Sequence, residues 1–333
     1  MIMEDIKIIN ILGKGMYGTT YLVIKNNKKY ALKRQKILKV YIIKNTKYSM
    51  WREFYFFNYI SKLKKTDQNF FMKLIDYKFY SNCDFNNDFQ SNNKIILKLN
   101  KSKHCLDQLV ELKDGVLKDI IYKLNKKQKI SMIIQCIYAM YLMHANGYYH
   151  CDLHTKNIAY KKTKDEYINI NNINIKTYGY QYSFIDYGLI INKRFLLNKK
   201  ERKKLEIYQK FNKDMNLFLT FSIFNIREII KIKNKKIKQN FIDFLKNKHK
   251  SLYDRIKSII LYNYPDYQIY DDINKHLFME IIQYISIYNN DILKKYFKTE
   301  DNLLPNYILE FIKLNMNNEN SYFDIINYLS NLL

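Results

Sequence analysis

The spacing of apolar residues changes near residue 105, and this change restricts the fold more than any other feature of the chain. Residues 6–33 form short alternating runs with a glycine turn between the first two, as in a meander of strands. Residues 50–63 have the spacing of a helix, and residues 73–78 and 94–99 resemble further strands. We therefore expect a first unit that is mainly β and contains one helix.

From Cys105 onward the pattern is helical, first over residues 106–111 and then over residues 129–145. A segment rich in Asn and Ile, residues 167–176, predicts either an extended hairpin or a disordered insertion. Helical patterning resumes beyond Leu205, with Pro265 and Pro305 as expected helix boundaries. The predicted fold class is α+β, with a small mainly β unit at residues 1–101 and a larger mainly α unit at residues 102–333.

The cysteines and the apolar stretches indicate which cellular compartment to expect for this chain. The four cysteines are widely scattered and have no metal-ligand spacing, which argues against a disulfide framework or a structural zinc and favours a reducing compartment. The most apolar stretch, residues 132–143, is too short to span a bilayer. We expect a soluble, cytoplasmic protein without a membrane partner. The cysteines are Cys83, Cys105, Cys136 and Cys151.

The formal net charge of +26 invites a nucleic-acid interpretation, but the type of basic residue argues against it. Only six of the 57 basic residues are arginine, the better bidentate reader of phosphates and bases. The excess of Lys, Asn, Ile, Tyr and Phe is typical of an AT-rich genome, such as that of a large DNA virus, for which the location would be host cytoplasm or virion. Nucleic acid is therefore not expected as the main ligand, and the charge belongs to solvated faces.

Two motifs in the first unit suggest a nucleotide site. Gly13-Lys14-Gly15-Met16-Tyr17-Gly18 is a GxGxxG between strand-like runs, where glycine permits a tight turn and close approach to phosphates; a plain hairpin turn is the alternative. Tyr30-Ala31-Leu32-Lys33 is a strand ending in a lysine suited to binding phosphates. Glu53, on the predicted helix, is the partner that would orient Lys33, although either residue alone reads as an ordinary surface charge.

The decisive segment lies in the second unit. Residues 149–158, YHCDLHTKNI, have the form HxDLxxxxN and follow a predicted amphipathic helix; Ile185-Asp186-Tyr187-Gly188 comes later in the chain. With these segments the sequence resembles the eukaryotic-type protein kinase superfamily, whose DFG motif corresponds to Asp186-Tyr187-Gly188. Five motifs in the family's order cover roughly residues 8–220. The resemblance implies a bilobal kinase-like fold, with the two predicted units as its lobes.

The resemblance also implies a role for each motif residue. Asp152 would accept the proton of the acceptor hydroxyl, with Lys33, Glu53 and His154 completing the catalytic set. Asn157 and Asp186 would be the Mg²⁺ ligands. ATP would be the nucleotide, held at the adenine by Ala31 and a hinge near residues 97–101, with its phosphates contacted by Gly13, Lys14, Gly15, Tyr17, Gly18 and Lys33.

One further aspartate has two interpretations. Asp214 resembles the buried aspartate of the family that braces the backbone of the catalytic loop. The alternative is an ordinary helix N-cap.

The sequence departs from the family at three places. Cys151 stands where many kinases have arginine, which leaves the pocket for a phosphorylated activation loop incomplete; a buried, inert thiol is the expected state of Cys151. His154 replaces the lysine usual in Ser/Thr kinases, a pattern shared with aminoglycoside and choline kinases. No APE motif lies between Asp186 and Asp214.

Three functions remain open from the sequence. The leading one is a Ser/Thr protein kinase that transfers the γ-phosphate of Mg·ATP to a protein substrate. A small-molecule kinase is favoured by His154 and by the missing APE. A pseudokinase scaffold is disfavoured because it would not need the full set of polar residues; that set is Lys33, Glu53, Asp152, Asn157 and Asp186.

Overall fold

A computed structural model describes residues 6–15, 18–83, 97–99, 101–222, 235–263, 281–282, 285, 290–297, 306–315 and 321–333. Over these residues the chain is a mixed α+β protein, as predicted. A five-stranded antiparallel sheet lies near the beginning, and helices predominate after residue 117.

The sheet has the strand order β1-β2-β3-β5-β4, and all neighbours are antiparallel. Asn26 and Asn27 join β2 to β3 with φ angles of 48° and 59°, the left-handed conformation that a tight two-residue hairpin requires. Asparagine tolerates this conformation better than most residues. The strands are β1 Lys7–Lys14, β2 Gly18–Lys25, β3 Lys28–Ile37, β4 Leu74–Tyr80 and β5 His104–Glu111.

Strand β5 corrects the sequence analysis, which predicted a helix over residues 106–111. It lies between β3 and β4 and is buried almost throughout, including Asp107 and Gln108. A strand covered on both faces lacks the alternation that identifies strands in a sequence. The sheet therefore continues past the predicted division at residue 101 as far as Glu111.

The predicted hinge near residues 97–101 is also wrong. Residues 97–99 form a helical turn, and residues 94–96 of the predicted strand there lie outside the described part of the chain. The chain leaves the sheet only after Glu111, so the connection to the following helices is at residues 112–114.

The first helix, α1 (Ser49–Lys62), agrees with its prediction at residues 50–63. It buries Phe56, Phe57 and Ile60 on one face together with Glu53. The rings of Phe56 and Phe57 pack against Tyr187, with centroid distances of 4.6 and 5.4 Å. A short helix, α2 (Lys65–Gln68), follows.

Helix α4 (Lys126–His144) lies at the centre of the second half of the chain. It begins with a capping box, in which Asn125 and Gln128 satisfy each other's backbone N–H groups. Most of its side chains are buried, because it packs against β11 (Tyr180–Phe184) on one side and a later helix on another. It is preceded by α3, Leu117–Ile120.

Short strands surround α4. Strands β11, β8 and β6 form one sheet, and β12 pairs with β7. The segment at residues 167–176 is the predicted extended hairpin, with Asn171 and Asn172 at its turn in the left-handed conformation. The strands are β6 Gly115–Val116, β7 Tyr148–Tyr149, β8 Ile158–Lys162, β9 Tyr167–Ile170, β10 Ile173–Lys176 and β12 Ile191–Asn192.

The described residues beyond Leu205 are helical, as predicted, whereas Pro265 and Pro305 lie outside the described ranges. None of the described helices combines the length and the apolar character needed to cross a bilayer. The last helix packs along α4. These helices are α5 Lys199–Phe211, α6 Lys213–Ser222, α7 Lys235–Lys248, α8 Lys250–Asn263, α9 Asn290–Phe297, α10 Asn306–Asn315 and α11 Tyr322–Ser330.

The cysteines differ from the expectation of four unpaired thiols. Cys83 and Cys105 form a disulfide with a Cα–Cα distance of 5.8 Å, which joins the segment after β4 to the beginning of β5. Their separation of 22 residues matches no recognised cysteine spacing, so the disulfide could not be predicted from the sequence. Cys136 and Cys151 are free and buried.

Candidate active site

The pairing of β8 with β11 brings two predicted site residues to the same end of a sheet. Ile158 lies opposite Phe184, so the residues just outside the ladder, Asn157 and Ile185, also meet. The N–H of Ile185 donates to the carbonyl oxygen of Asn157 at 3.0 Å. Asp186, the next residue, therefore follows directly from a strand end fixed beside Asn157.

Lys33 lies between two carboxylates that come from different parts of the chain. Its Nζ is 3.4 Å from Glu53 Oε1 and 3.2 Å from Asp186 Oδ1. Burial lowers the pKa of Lys33, but Glu53 and Asp186 outweigh this effect, so its pKa is raised above the ordinary lysine value. Lys33 in turn lowers the pKa of Asp186. Lys33 and Asp186 are therefore both charged at neutral pH.

Glu53 is almost fully buried and has a second partner. Gln108 Nε2 donates to Glu53 Oε2 at 3.2 Å, from the position on β5 opposite Lys33. The carboxylate is thus held from both sides, one oxygen by each partner. Gln108 was not predicted as a site residue, because β5 had no strand-like pattern in the sequence.

The predicted catalytic residues Asp152, His154 and Asn157 form a second group. Asn157 Nδ2 donates to the backbone oxygen of Asp152 at 2.9 Å and to its Oδ2 at 3.1 Å. His154 Nε2 lies 3.6 Å from Asp152 Oδ1, too far for a direct hydrogen bond. The Asp152 side chain remains partly exposed, so its predicted contact with an acceptor is sterically open.

The protonation of His154 follows from its surroundings. Burial lowers its pKa and outweighs the opposing effect of Asp152, so the imidazole is neutral at pH 7. The N–H of Lys156 donates to His154 Nδ1 at 3.2 Å. The proton of the neutral ring is therefore on Nε2, directed toward Asp152. Residue 154 therefore supplies no permanent cation beside Asp152.

Asp214 braces the backbone of His150 and Cys151, as the first of its two interpretations predicted. Its Oδ2 accepts the N–H of His150 at 2.7 Å and its Oδ1 accepts the N–H of Cys151 at 2.9 Å. Burial raises the pKa of Asp214, but His144 and these donors outweigh it, and the pKa is lowered. A buried ionised carboxylate therefore fixes the two residues before Asp152.

A hydrogen-bond network extends from Asp214 to the last helix. His144 Nε2 lies 3.3 Å from Asp214 Oδ2, and His144 Nδ1 lies 2.8 Å from the hydroxyl of Tyr322. The same hydroxyl donates to Asn212 Oδ1 at 3.0 Å. All four side chains are buried. This network could not be predicted from the sequence, because its members come from α4, α11 and the start of α6.

Cys151 and Asp186 both have a left-handed backbone, with φ angles of 65° and 60°. Residues other than glycine rarely adopt this conformation, and such residues cluster at functional sites. Burial raises the pKa of the Cys151 thiol well above its ordinary value, with Asp214 adding to the effect. The expected inert, buried thiol agrees with this environment.

The glycine segment is a turn between β1 and β2. The N–H of Gly15 donates to the oxygen of Gly18 at 2.8 Å, while Met16 and Tyr17 lie outside the described residues. A side chain at Gly18 would collide with the carbonyl oxygen of Arg34, whereas one at Gly13 would meet no atom within 4 Å. Gly18 is therefore required for strand packing, whereas Gly13, Lys14 and Gly15 are exposed at the surface, and their contact with phosphates stays a prediction.

Ala31 is buried in the main hydrophobic core, in the ladder between β2 and β5. It lies one strand residue away from Leu32 and two from Lys33. Because side chains alternate along a strand, Ala31 and Lys33 lie on the same face of β3, and the contact of Ala31 with a base stays a prediction.

The residues predicted to bind Mg²⁺ fit an ion that is shared with phosphates. Asn157 uses its amide nitrogen toward Asp152, which directs its oxygen elsewhere, and about half of the Asp186 side chain is exposed. Among the described residues no group of three or more His, Cys, Asp or Glu side chains could hold a metal alone. Mg²⁺ is commonly held by one or two protein oxygens together with substrate phosphates, so this small donor set suits it.

Comparison with known proteins adds no relative to this picture. No protein-family model matches the sequence, and no curated protein matches it significantly. The interpretation of the site therefore depends on its own motifs and geometry.

Proposed function

We propose that this chain is an ATP-dependent phosphotransferase of the protein kinase superfamily with a bilobal kinase-like fold, and that its acceptor is a Ser or Thr hydroxyl of a protein. The observation that supports this most is the position of Lys33 between Glu53 and Asp186, at 3.4 and 3.2 Å. These residues are separated by 20 and 153 positions in the chain. A lysine held by two carboxylates from separate elements is the arrangement that phosphate binding by a kinase uses.

The chain's own residues divide the work of phosphoryl transfer. Lys33 offers a fixed positive charge to the nucleotide phosphates, oriented by Glu53. Asp152 accepts a hydrogen bond from the acceptor hydroxyl and takes its proton at the carboxylate, while Asn157 holds that carboxylate in place. When bound, Mg·ATP supplies the phosphoryl group and a divalent charge that Asp186 and Asn157 would hold.

A substitution at His154 distinguishes the proposed protein acceptor from a second candidate, a small-molecule acceptor. With its proton on Nε2, it can donate one hydrogen bond to a transferring phosphate without a full charge. The same neutral donor suits a small-molecule kinase, which is the second candidate. In the first case His154→Lys retains or improves transfer to protein, and in the second it damages small-molecule transfer without creating protein phosphorylation.

The test is to incubate the purified chain with labelled ATP and Mg²⁺, with casein, histone and myelin basic protein in one set of reactions and aminoglycosides or choline in another. Label on protein supports the proposal, and label on a small molecule supports the second candidate. Lys33→Met is the negative control for contaminating kinase. A chain that labels no acceptor, and whose melting temperature Mg·ATP does not raise, contradicts phosphotransfer and leaves a scaffold role.

A further inference from the structure

Arg52, the residue before Glu53, connects α1 to the segment that follows the DYG motif. Its guanidinium is buried, with 4 % of the residue exposed. Nη1 donates to Glu201 Oε1 at 2.7 Å and Nη2 donates to Glu201 Oε2 at 3.0 Å, a two-pronged ion pair. Arg52 also donates to the backbone oxygens of Thr46 and Lys47, which precede α1, and of Leu196, which precedes α5.

Glu201 is held ready for this contact by its own helix. It is the third residue of α5, and it forms a capping box with Asn198: each residue's side chain accepts the backbone N–H of the other at 2.9 Å. Burial raises the pKa of Glu201, but Arg52 and the N–H of Asn198 outweigh it, so the pKa is lowered. The carboxylate is therefore ionised, and the capping box holds its Oε2 in place beside Arg52.

Adjacent residues of α1 thus make contacts at two different places. Glu53 reaches Lys33 and Gln108 in the sheet, and Arg52 reaches Glu201 at the start of α5. Because two adjacent residues of α1 are bound to two different parts of the structure, the helix has little freedom to rotate or to move away from Lys33. Loss of the Arg52–Glu201 contact should therefore allow Glu53 to shift relative to Lys33.

We propose that the Arg52–Glu201 ion pair positions Glu53 beside Lys33, so that a carboxylate built into the chain, rather than a phosphate added later, holds α1 in place for phosphoryl transfer. This inference rests on the proposed function. The residue before Asp152 supports this inference. Cys151 is buried and uncharged, so it cannot bind an added phosphate as an arginine would. The fixed negative charge of Glu201 satisfies Arg52 without modification.

Glu201→Gln tests the charge alone, because glutamine can still form the capping box. We expect kcat to fall about tenfold or more, the effect of losing a hydrogen bond to a charged, buried group, while KM for ATP changes less than about twofold. Glu206→Gln, at an exposed position of the same helix, is the matched control and should retain wild-type kcat. The kcat of Arg52→Met combined with Glu201→Gln should be no lower than that of Arg52→Met alone, because both substitutions remove the same contact.

A second measurement does not need transfer activity. Lys33 is acetylated with limiting acetic anhydride, and its labelling is quantified by mass spectrometry relative to exposed Lys29 on the same strand. If Glu53 moves away in Glu201→Gln, the Nζ of Lys33 loses one of the two carboxylates that contact it and becomes more accessible to the reagent, so its labelling should rise at least about threefold. Glu206→Gln should leave the ratio unchanged.

The outcomes separate this inference from the proposed function. If wild type transfers phosphate and Glu201→Gln keeps both its kcat and its Lys33 labelling, the positioning role is overturned and phosphotransfer stands. If wild type transfers nothing but Lys33 labelling rises in Glu201→Gln, the positioning role stands and phosphotransfer fails. A fall in kcat with unchanged Lys33 labelling also overturns the inference, because Glu201 would then act by another route.

Discussion

The N–H of Ile185 donates to the carbonyl oxygen of Asn157, at 3.0 Å. His150 adds to the same junction, since its Nε2 lies 2.9 Å from the oxygen of Ile185. Both hydrogen bonds of the Ile185 backbone are therefore made to the segment 150–157. Asp186 cannot move relative to Asp152 without breaking them, and the two carboxylates act as parts of one unit.

Asp152→Asn should abolish most transfer while leaving nucleotide binding nearly intact. The amide keeps the size of the side chain but cannot take up the hydroxyl proton, so kcat should fall by about two to four powers of ten. Steady-state kinetics and an ATP binding isotherm measure the two quantities. Asp165→Asn, at an exposed loop position, is the control. Wild-type turnover by Asp152→Asn, in a preparation free of other kinases, would refute a catalytic role.

Gly18→Ala and Gly13→Ala should differ in stability, although both change a glycine of the same motif. The new methyl group at residue 18 collides with the Arg34 carbonyl oxygen, so unfolding free energy should fall by about 1–3 kcal/mol. At residue 13 the space is open, and the change should stay within about 0.5 kcal/mol. Urea denaturation followed by circular dichroism gives both values. Equal effects would contradict the strand-packing role of Gly18.

The thiols should be unreactive in the folded protein. Cys136 and Cys151 are buried, and burial raises the pKa of both. Titration with a chromogenic disulfide should detect no thiol in native protein, two after unfolding, and four after unfolding with a reductant. Four thiols without reductant would show that Cys83 and Cys105 are not bonded.

Acid should destabilise the fold through Asp214. Its pKa is lower in the folded state, so the unfolded chain binds more protons as the pH falls and stability decreases with it. The loss should begin near pH 4, the ordinary range of an aspartate, and continue downward. Asp214→Asn should be less stable than wild type at pH 7 and should lose less on acidification. Urea midpoints between pH 7 and pH 3 measure this, with Asp254→Asn on the exposed side of α8 as the control. Parallel acid profiles for wild type and Asp214→Asn would contradict the prediction.

The sequence predicted the residues whose chemistry lies in short motifs. Asp152 and Asn157 lie within one short segment, and Asp186 lies in the DYG tripeptide, so each could be recognised locally. Lys33 and Glu53 could be recognised because the sequence pattern predicted the strand and the helix on which they lie. Residues that join the site from distant segments had no local signature. Gln108, Tyr322 and the Arg52–Glu201 pair became visible only once the chain was folded.

The fold was predicted where one face of an element is exposed. α1 and the β9–β10 hairpin have clear patterns because they present both apolar and polar sides. β5 was missed because both of its faces are covered, which removes the alternation on which such a prediction depends. The Cys83–Cys105 disulfide was missed because contact between its cysteines depends on β5 lying beside β4.

Tyr322 follows His144 by 178 residues, yet its hydroxyl completes the buried network behind the catalytic loop. Synthesis proceeds from the N-terminus, so residues 150–157 leave the ribosome long before this hydroxyl exists. A nascent chain stalled before residue 322 lacks the partner that His144 contacts beside Asp214. Residues 150–157 are by then translated but lack this support, and the network can close across its longest separation only after residue 322 has been synthesised.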